Sequence, residues 1–117
     1  MVLGSGLERE VHLLHSRMCE GLADPTRILI LYALADGPRN VGELADILHA
    51  PQPTVSRHLK VLREREMVRA ERVGPAVRYS LTDLRLIEAL DLLRAVLASR
   101  LRDRAALVES VAASDPG

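Results

Sequence analysis

The fold is decided by residues 52–62, which read Gln52-Pro53-Thr54-Val55-Ser56-Arg57-His58-Leu59-Lys60-Val61-Leu62. The apolar residues Val55, Leu59 and Leu62 recur at steps of four and three, a spacing that predicts the buried face of a helix. Pro53 suits the first position of that helix, because its missing N–H would be unpaired there in any case. The outward face is polar and includes Thr54, Arg57, His58 and Lys60.

Before this stretch, apolar spacing and capping residues predict two helices. Apolar residues recur at steps of four, three, four and four along residues 7–22, which predicts one amphipathic helix. Asp24 followed by Pro25 is typical of an N-cap residue and the first position of a second helix. Gly37 and Pro38 then end that helix.

A short third helix leads directly into the deciding stretch. Asn40 and Glu43 have the three-residue spacing of a capping box, which marks a helix start. Its predicted inward residues are Leu44, Ile47 and Leu48. Residues 49–52 are predicted to form a tight turn, so residues 40–66 are expected to be a helix-turn-helix.

After these helices the period changes to that of strands. Apolar and polar side chains alternate on both sides of Gly74-Pro75, which supplies a turn, and this predicts a hairpin over residues 68–81. Thr82 then resembles an N-cap, and a helix over residues 82–112 would be about 45 Å long. Its apolar face is longer than the core of one small domain needs, which predicts a second subunit packed against it.

Length and composition limit the class of protein. The 117 residues predict a single domain over residues 1–117, mainly α with a small β-hairpin. Two Tyr, no Phe and no Trp argue against a protein that stacks single-stranded bases on aromatic rings. One Cys excludes an internal disulfide and a four-cysteine zinc site within one chain. With no membrane-length apolar run and no signal-peptide pattern, a soluble, cytoplasmic protein without membrane contact is expected.

The net charge is zero, but the charges are segregated along the chain. Residues 53–80 hold seven basic residues against three acidic ones, whereas the segments before and after them are slightly acidic. A basic middle suits a polyanion such as DNA, and the alternative is a solvated helix face without a ligand.

Together these elements describe a winged helix-turn-helix with residues 68–81 as the wing. The second helix of the helix-turn-helix, which contains residues 52–62, is expected to enter the major groove of double-stranded DNA. Gln52 and Arg57 suit paired hydrogen bonds to adenine and guanine, and Thr54 can touch a thymine methyl group. Arg72 and Arg78 flank the wing turn and would meet the sugar-phosphate backbone. The predicted DNA-binding residues are Gln52, Thr54, Ser56, Arg57, His58, Lys60, Arg72 and Arg78.

The chain resembles the ArsR/SmtB family of bacterial repressors. The family's motifs are matched in unbroken order by Asp24-Pro25-Thr26-Arg27, Glu43-Leu44-Ala45, residues 52–62 and Val77-Arg78-Tyr79-Ser80-Leu81. The resemblance implies a homodimer joined by the first and last helices, which binds a palindromic operator and is released by an effector. The family usually has Ser before the Gln of the reading helix, and Pro51 stands there instead, which removes a side-chain cap.

The family's familiar metal sites are not matched. The resemblance places the thiolates of one site in a segment that reads Asn40-Val41-Gly42-Glu43-Leu44-Ala45 and contains no Cys. The four positions of the other site hold Asp83, Arg85, Val96 and Ser99, and only Asp83 matches the family's metal-binding residue at its position. No metal and no other cofactor is therefore expected at either place.

The remaining effector candidates lie on the first helix. At 100° per residue, Glu8, His12, His15 and Cys19 fall on one flank of it. Imidazole and thiolate suit zinc or a thiophilic ion, and a thiol can also serve as a redox switch. The alternative is a solvated His pair with a small buried Cys near the dimer seam. His12, His15 and Cys19 are thus candidate effector residues, and the effector itself stays open.

Two other functional classes compete with DNA binding. An enzyme is disfavoured because there is no Gly-rich phosphate loop and Cys19 has no recognisable base set beyond His15. A winged helix that only contacts other proteins is expected to present an acidic or apolar face, whereas this face holds Arg57, His58 and Lys60. A DNA-binding repressor is therefore the preferred hypothesis, with a protein-interaction module and a thiol or metal sensor as alternatives.

Overall fold

The computed structural model describes residues 4–114, so residues 1–3 and 115–117 of the predicted single domain lie outside the described part. The elements in chain order are α1 (Ser5–Leu14), a π-helical turn (His15–Cys19), α2 (Pro25–Ala33), α3 (Val41–Leu48), α4 (Gln52–Glu64), β1 (Val68–Val73), β2 (Ala76–Leu81) and α5 (Arg85–Ser114). The chain divides into two compact units after Leu84. The predicted fold class, mainly α with one β-hairpin, is confirmed.

The first unit is built around one apolar core. Val55, Leu59 and Leu62 of α4 were predicted to point inward, and all three are buried. The core residues of this unit are Ile30, Leu31, Leu34, Leu44, Ala45, Val55, Leu59, Leu62, Met67, Val68 and Leu81. Full burial of a Val, Leu or Ile side chain contributes about 1.5–3 kcal/mol. The inner face of α4 is therefore held firmly while its outer face stays in solvent.

The helix starts follow the predicted capping residues. Asp24 Oδ1 accepts a hydrogen bond from the backbone N–H of Thr26 at 2.8 Å, at the start of α2. Asn40 Oδ1 accepts from the N–H of Glu43 at 2.8 Å, and Glu43 Oε1 accepts from the N–H of Asn40 at 3.1 Å, which completes the capping box of α3. The prediction that Ile47 points inward is wrong, since Ile47 is 45% exposed. The buried face of α3 is formed by Leu44 and Ala45 instead.

The wing is the predicted hairpin over residues 68–81. β1 and β2 pair antiparallel, and Gly74 and Pro75 form the two-residue turn between them. Gly74 has a φ of 61°, in the left-handed region that glycine adopts without a steric penalty. A short bridge ties β2 to the loop before α3: the N–H of Arg39 donates to the carbonyl of Tyr79 at 3.0 Å, and the reverse bond is 2.8 Å.

The first helix differs from the regular helix predicted over residues 7–22. α1 ends at Leu14, and in the π turn that follows, the N–H of Glu20 donates to the carbonyl of His15 at 2.9 Å. This i→i+5 bond widens the helix locally, so the 100° spacing does not hold through residues 15–19. The apolar stripe of α1 is exposed, with Leu7 at 44% and Leu14 at 52%.

The last helix begins at Arg85 rather than at Thr82. Thr82 is not its cap, because the Thr82 hydroxyl donates to the carbonyls of Glu66 at 2.8 Å and Met67 at 3.1 Å. α5 is 30 residues long. Its exposed large apolar residues are Leu92, Leu93, Val96, Leu97, Leu101, Leu107, Val108 and Val111. Among the helices of the described residues, none combines the length and the apolar character that crossing a membrane requires.

Candidate nucleic-acid interface

The turn between α3 and α4 sets where the exposed helix begins. His49 ends α3 with a φ of 52°, a left-handed conformation that few residues other than glycine adopt. Pro51 is the N-cap of α4, and its carbonyl accepts from the N–H of Thr54 at 3.1 Å while its side chain forms no cap. α4 therefore begins at Gln52, one residue before the predicted start at Pro53.

Most of the predicted DNA-reading residues lie on the outer face of α4. Gln52, Ser56, Arg57 and Lys60 are exposed, and Thr54 is half-buried. Gln52, Ser56 and Lys60 follow one another at steps of four, which places their side chains in one row along the helix. The structure thus brings Gln52, Ser56 and Arg57 together on the amino-terminal half of α4, and Lys60 continues the exposed surface one turn further on.

His58 lies on a different side of the helix. Its side chain is 17% exposed, and its Nδ1 lies 3.3 Å from a guanidinium nitrogen of Arg27. Its Nε2 lies 3.9 Å from Oδ1 of Asp24. The prediction that His58 points outward is wrong, because it stands 200° around the helix from Ser56 and meets residues at the start of α2.

Asp24 is the acidic residue that lies next to His58. Partial burial acts to raise the pKa of its carboxyl. Hydrogen bonds from the backbone N–H groups of Arg27 and Thr26 lower the pKa, and so do the nearby side chains of His58 and Arg27. The net result is a pKa below the ordinary value of 3.8. The carboxylate therefore stays charged at neutral pH, where it stabilises the N-terminus of α2.

A cleft beside the outer face adds two residues that the sequence analysis missed. Its volume is about 370 Å³, and it is lined by Ser56, Leu59, Lys60, Arg63, Glu64 and Tyr79. Arg63 follows Ser56 by seven residues, two helical turns, so the helical spacing alone could have included it. Tyr79 comes from β2, and its place beside α4 depends on tertiary packing that no local pattern shows.

The two predicted wing arginines are both exposed, but they differ in direction. Arg72 lies opposite Val77 in the hairpin, and Arg78 lies opposite Glu71. A guanidinium nitrogen of Arg78 donates to the carbonyl of Pro38 at 3.3 Å. Arg78 is therefore directed toward the loop before α3, whereas Arg72 lies next to the exposed end of the hairpin.

Not every basic residue of the segment 53–80 belongs to this surface. Arg65, just after α4, is 28% exposed, and one of its nitrogens lies 3.4 Å from Oε2 of Glu20. Its guanidinium also donates to the carbonyl of Ser16. Arg57, Lys60 and Arg63 stay exposed on α4, so the outer face keeps a cluster of positive charge.

The candidate effector residues are not gathered into a ligand set. His12, His15 and Cys19 are exposed, and Nδ1 of His15 lies 3.9 Å from Oε1 of Glu20. Within residues 4–114, no group of three or more His, Cys, Asp and Glu side chains is placed to hold a metal ion. Cys19, which one alternative expected to be buried, is exposed in the single chain.

A family model described as bacterial regulatory protein, arsR family, matches residues 24–70. The HTH-type transcriptional repressor SmtB of Mycobacterium tuberculosis is 44% identical over 75 residues, which cover 64% of this chain and 56% of that protein. The chain therefore spans little more than half the length of this relative. The HTH-type transcriptional regulator CmtR of Mycobacterium tuberculosis is 45% identical over 84 residues, 71% of each chain.

A solved structure with the same fold is the homodimeric winged helix-turn-helix DNA-binding domain Mb0332 from Mycobacterium bovis. It superposes with a TM-score of 0.72 at 25% identity, covering 88% of this chain and 95% of that one. Its fold agrees with the arrangement of α2, α3, α4 and the wing, which makes the first unit a winged helix-turn-helix.

Proposed function

The chain belongs to the ArsR family of bacterial regulatory proteins, and from this premise we propose that it is a homodimeric transcriptional repressor that binds double-stranded DNA. The observation that carries the proposal is the exposed row of Gln52, Ser56 and Lys60 on α4, backed by buried Val55 and Leu59. A helix held in this way by its inner face can enter the major groove with its amino-terminal half.

Base recognition is assigned to the first turns of α4. The side-chain amide of Gln52 can form paired hydrogen bonds with adenine, and the guanidinium of Arg57 can do so with guanine. Thr54 is half-buried and offers its methyl group to a thymine at the edge of this surface. His58 has no part in this set, because its ring meets Asp24 and Arg27 instead.

Backbone contacts are assigned to the cleft and the wing. Lys60 and Arg63 line the cleft together with Ser56 and Tyr79, and their two positive charges outweigh the single carboxylate of Glu64, which suits a phosphodiester strand that passes along the cleft. Arg72 extends the positive surface along the hairpin. These contacts add affinity that does not depend on base sequence and falls with salt.

A symmetric dimer explains the apolar surface that the single chain leaves in water. Leu7 and Leu14 on α1 and Leu93 and Leu97 on α5 are 44–63% exposed. The Mb0332 domain, with the same fold, is homodimeric. Two copies of α4 related by a two-fold axis would read two half-sites about one helical turn apart, roughly 34–36 Å, so the operator is expected to be palindromic.

The proposed role is regulatory rather than catalytic, as the family description implies. We place its action in the cytoplasm, where a bacterial-type regulator meets the chromosome. Release by an effector is part of the proposal, and the surface around His15 and Cys19 is one candidate for that effector because both side chains are exposed.

The test is selection of duplexes from a random-sequence pool by the full chain, followed by sequencing. Enrichment of a two-fold symmetric sequence with half-sites about 10 base pairs apart is the expected result. The variant Arg57→Glu with Lys60→Glu changes only exposed positions and is expected to keep the fold and lose the enrichment. No enrichment by the wild type would overturn the proposal and favour a protein-interaction module.

The dimer is tested separately. Leu93→Glu with Leu97→Glu places two charges on the exposed apolar face of α5, and we expect monomers in light scattering. A matched control, Arg102→Glu with Arg104→Glu, puts the same residues at exposed polar positions of the same helix and is expected to stay dimeric. A wild type that is monomeric at micromolar concentration would contradict the proposed assembly.

A further inference from the structure

Two arginines join the end of the N-terminal helical region to the DNA-reading helix. The joined segment is the π turn His15–Cys19 and the two residues that follow it, Glu20 and Gly21. Both arginines come from elsewhere in the chain: Arg27 from the first turn of α2, and Arg65 from the C-cap of α4. Both are half-buried, and each contacts this segment through backbone carbonyls.

Arg65 holds the segment at the carboxyl end of α4. Its guanidinium donates to the carbonyl of Ser16, and a second nitrogen lies 3.4 Å from the carboxylate of Glu20. Gly21 is buried beside it, and a Cβ there would stand 2.9 Å from Cδ of Arg65 and from Sδ of Met67. The absence of a side chain at residue 21 is thus what lets Arg65 reach across.

Arg27 holds the same segment near the middle of α4. Its Nε donates to the carbonyl of Gly21 at 2.7 Å, and one terminal nitrogen donates to the carbonyl of Glu20 at 3.2 Å. Its other terminal nitrogen lies 3.3 Å from Nδ1 of His58. Because a guanidinium only donates, Nδ1 is the acceptor in this contact, and the other ring nitrogen, Nε2, lies 3.9 Å from Oδ1 of Asp24.

We propose that Arg27 and Arg65 are positioning residues that make the orientation of the DNA-reading helix depend on the segment of residues 15–21. This inference rests on the proposed DNA-binding function. The two attachment points on α4, His58 and Arg65, are seven residues apart, about 10 Å along the helix. One attachment would let α4 pivot around it, whereas two attachments transmit a shift of the segment to the whole helix.

The consequence is a physical route from the N-terminal region to DNA recognition. The segment continues directly from α1, whose exposed Leu7, Val11 and Leu14 are the surface proposed to pack in the dimer. It also carries the exposed His15 and Cys19. Subunit packing on α1, or a ligand on the π turn, would therefore reach α4 through the two arginines.

The experiment compares two duplexes of equal length, the sequence selected by the wild type and a mixed-sequence control. Arg65→Gln is expected to weaken binding of the selected duplex roughly 2- to 30-fold, the range of coupling effects for residues without ligand contact. It is expected to leave binding of the mixed duplex nearly unchanged, because Arg65 does not touch DNA. An equal loss on both duplexes would make Arg65 a phosphate contact and overturn the proposal.

A double-mutant cycle then tests the contact itself. Glu20→Gln removes the carboxylate that faces Arg65. Discrimination is measured as the ratio of the affinities for the selected and the mixed duplex, and we expect the double variant to lose no more of it than Arg65→Gln alone. Fully additive losses would show that the two residues act separately, which would also overturn the proposal. Arg104→Gln on α5 is the matched charge control and is expected to keep discrimination.

A second pair of variants keeps the test decisive if Arg65→Gln unfolds. His58→Gln retains an acceptor for Arg27 and is expected to keep discrimination, whereas His58→Leu removes the acceptor and is expected to lose it while still folding by thermal melting. If His58→Leu distinguishes the two duplexes as well as the wild type does, the proposed role of Arg27 is wrong. A wild type that binds neither duplex would refute the DNA-binding function, which is a separate failure.

Discussion

The salt dependence of DNA binding gives the sharpest test of the interface, and Lys60 is the residue to change. Lys60 is exposed on α4 and lines the cleft with Arg63 and Tyr79, where a phosphate is expected. Each phosphate contact contributes about 0.9 to the slope of log affinity against log salt. Lys60→Gln removes one contact from each subunit of a dimer, so the slope should become shallower by about 1.8.

This slope change has a measurable size in an ordinary titration. Between 50 and 200 mM salt, a difference of about 1.8 changes the ratio of wild-type to variant affinity about 12-fold. Fluorescence anisotropy with a labelled mixed-sequence duplex at four or five salt concentrations measures it. Arg104→Gln, which removes the same charge from an exposed position of α5, should leave the slope unchanged. Equal slopes for Lys60→Gln and the wild type would refute the assignment of the cleft to the DNA backbone.

Arg57, Cys19 and Asp24 each give a further prediction. Arg57→Ala should cost about 1–3 kcal/mol on the selected duplex and relax its base preference, whereas Arg72→Ala should weaken binding of all duplexes about equally; exchanged profiles would mean that helix and wing are misassigned. Cys19→Ser should leave DNA release by zinc ion as it is in the wild type, because no group of three or more His, Cys, Asp and Glu side chains within residues 4–114 is placed to hold a metal ion; a lost response to zinc would show that Cys19 takes part in metal binding. Asp24→Asn should lower the Tm at pH 7, and this difference should disappear as the pH falls through the lowered pKa of Asp24; an equal difference at about pH 3 would contradict a charge effect.

The sign of the Asp24 prediction follows from the direction of its shift. The pKa of the folded carboxyl is below its ordinary value of 3.8, so the folded state favours the charged form. The resulting stability is present above the ordinary value and is lost as acid protonates the native carboxylate. Asn keeps an oxygen that can accept from the backbone N–H of Thr26, so the variant removes the charge and leaves a cap in place.

The parts of the fold that local chemistry determines could be predicted from the sequence. The capping box of Asn40 and Glu43 depends on residues three apart, and the turn at Gly74 depends on one residue's freedom at positive φ. The inner face of α4 is given by a single helical period. In each case the contacts that decide the structure are made within a few residues, where spacing alone carries the information.

The parts that failed depend on contacts between distant residues. His58 stands next to the buried arc of α4 on a helical wheel, so the pattern leaves its side ambiguous, and the partner that decides it, Arg27, is 31 residues away. The π turn shows no signal in the apolar spacing of residues 7–22, and Arg65, which contacts its Ser16 carbonyl, is 49 residues away. The expectation that His12, His15 and Cys19 share one flank assumed 100° per residue throughout, a spacing that the π turn changes, and it stays a prediction.

Exposure explains how a chain with no net charge can still present a basic surface to DNA. Its half-buried arginines form hydrogen bonds to backbone carbonyls of neighbouring segments: Arg27 to Gly21 at 2.7 Å, and Arg39 to Ala33 at 2.7 Å. Arg65 is of the same kind and has Glu20 as its counter-charge. Such residues hold the fold and add little to the outer field, because their charge is partly buried and paired. The exposed basic residues of α4, with Arg72 of the hairpin, remain to attract a polyanion. The distribution of exposed charge, and not the sum over the sequence, therefore decides whether this helix can bind DNA.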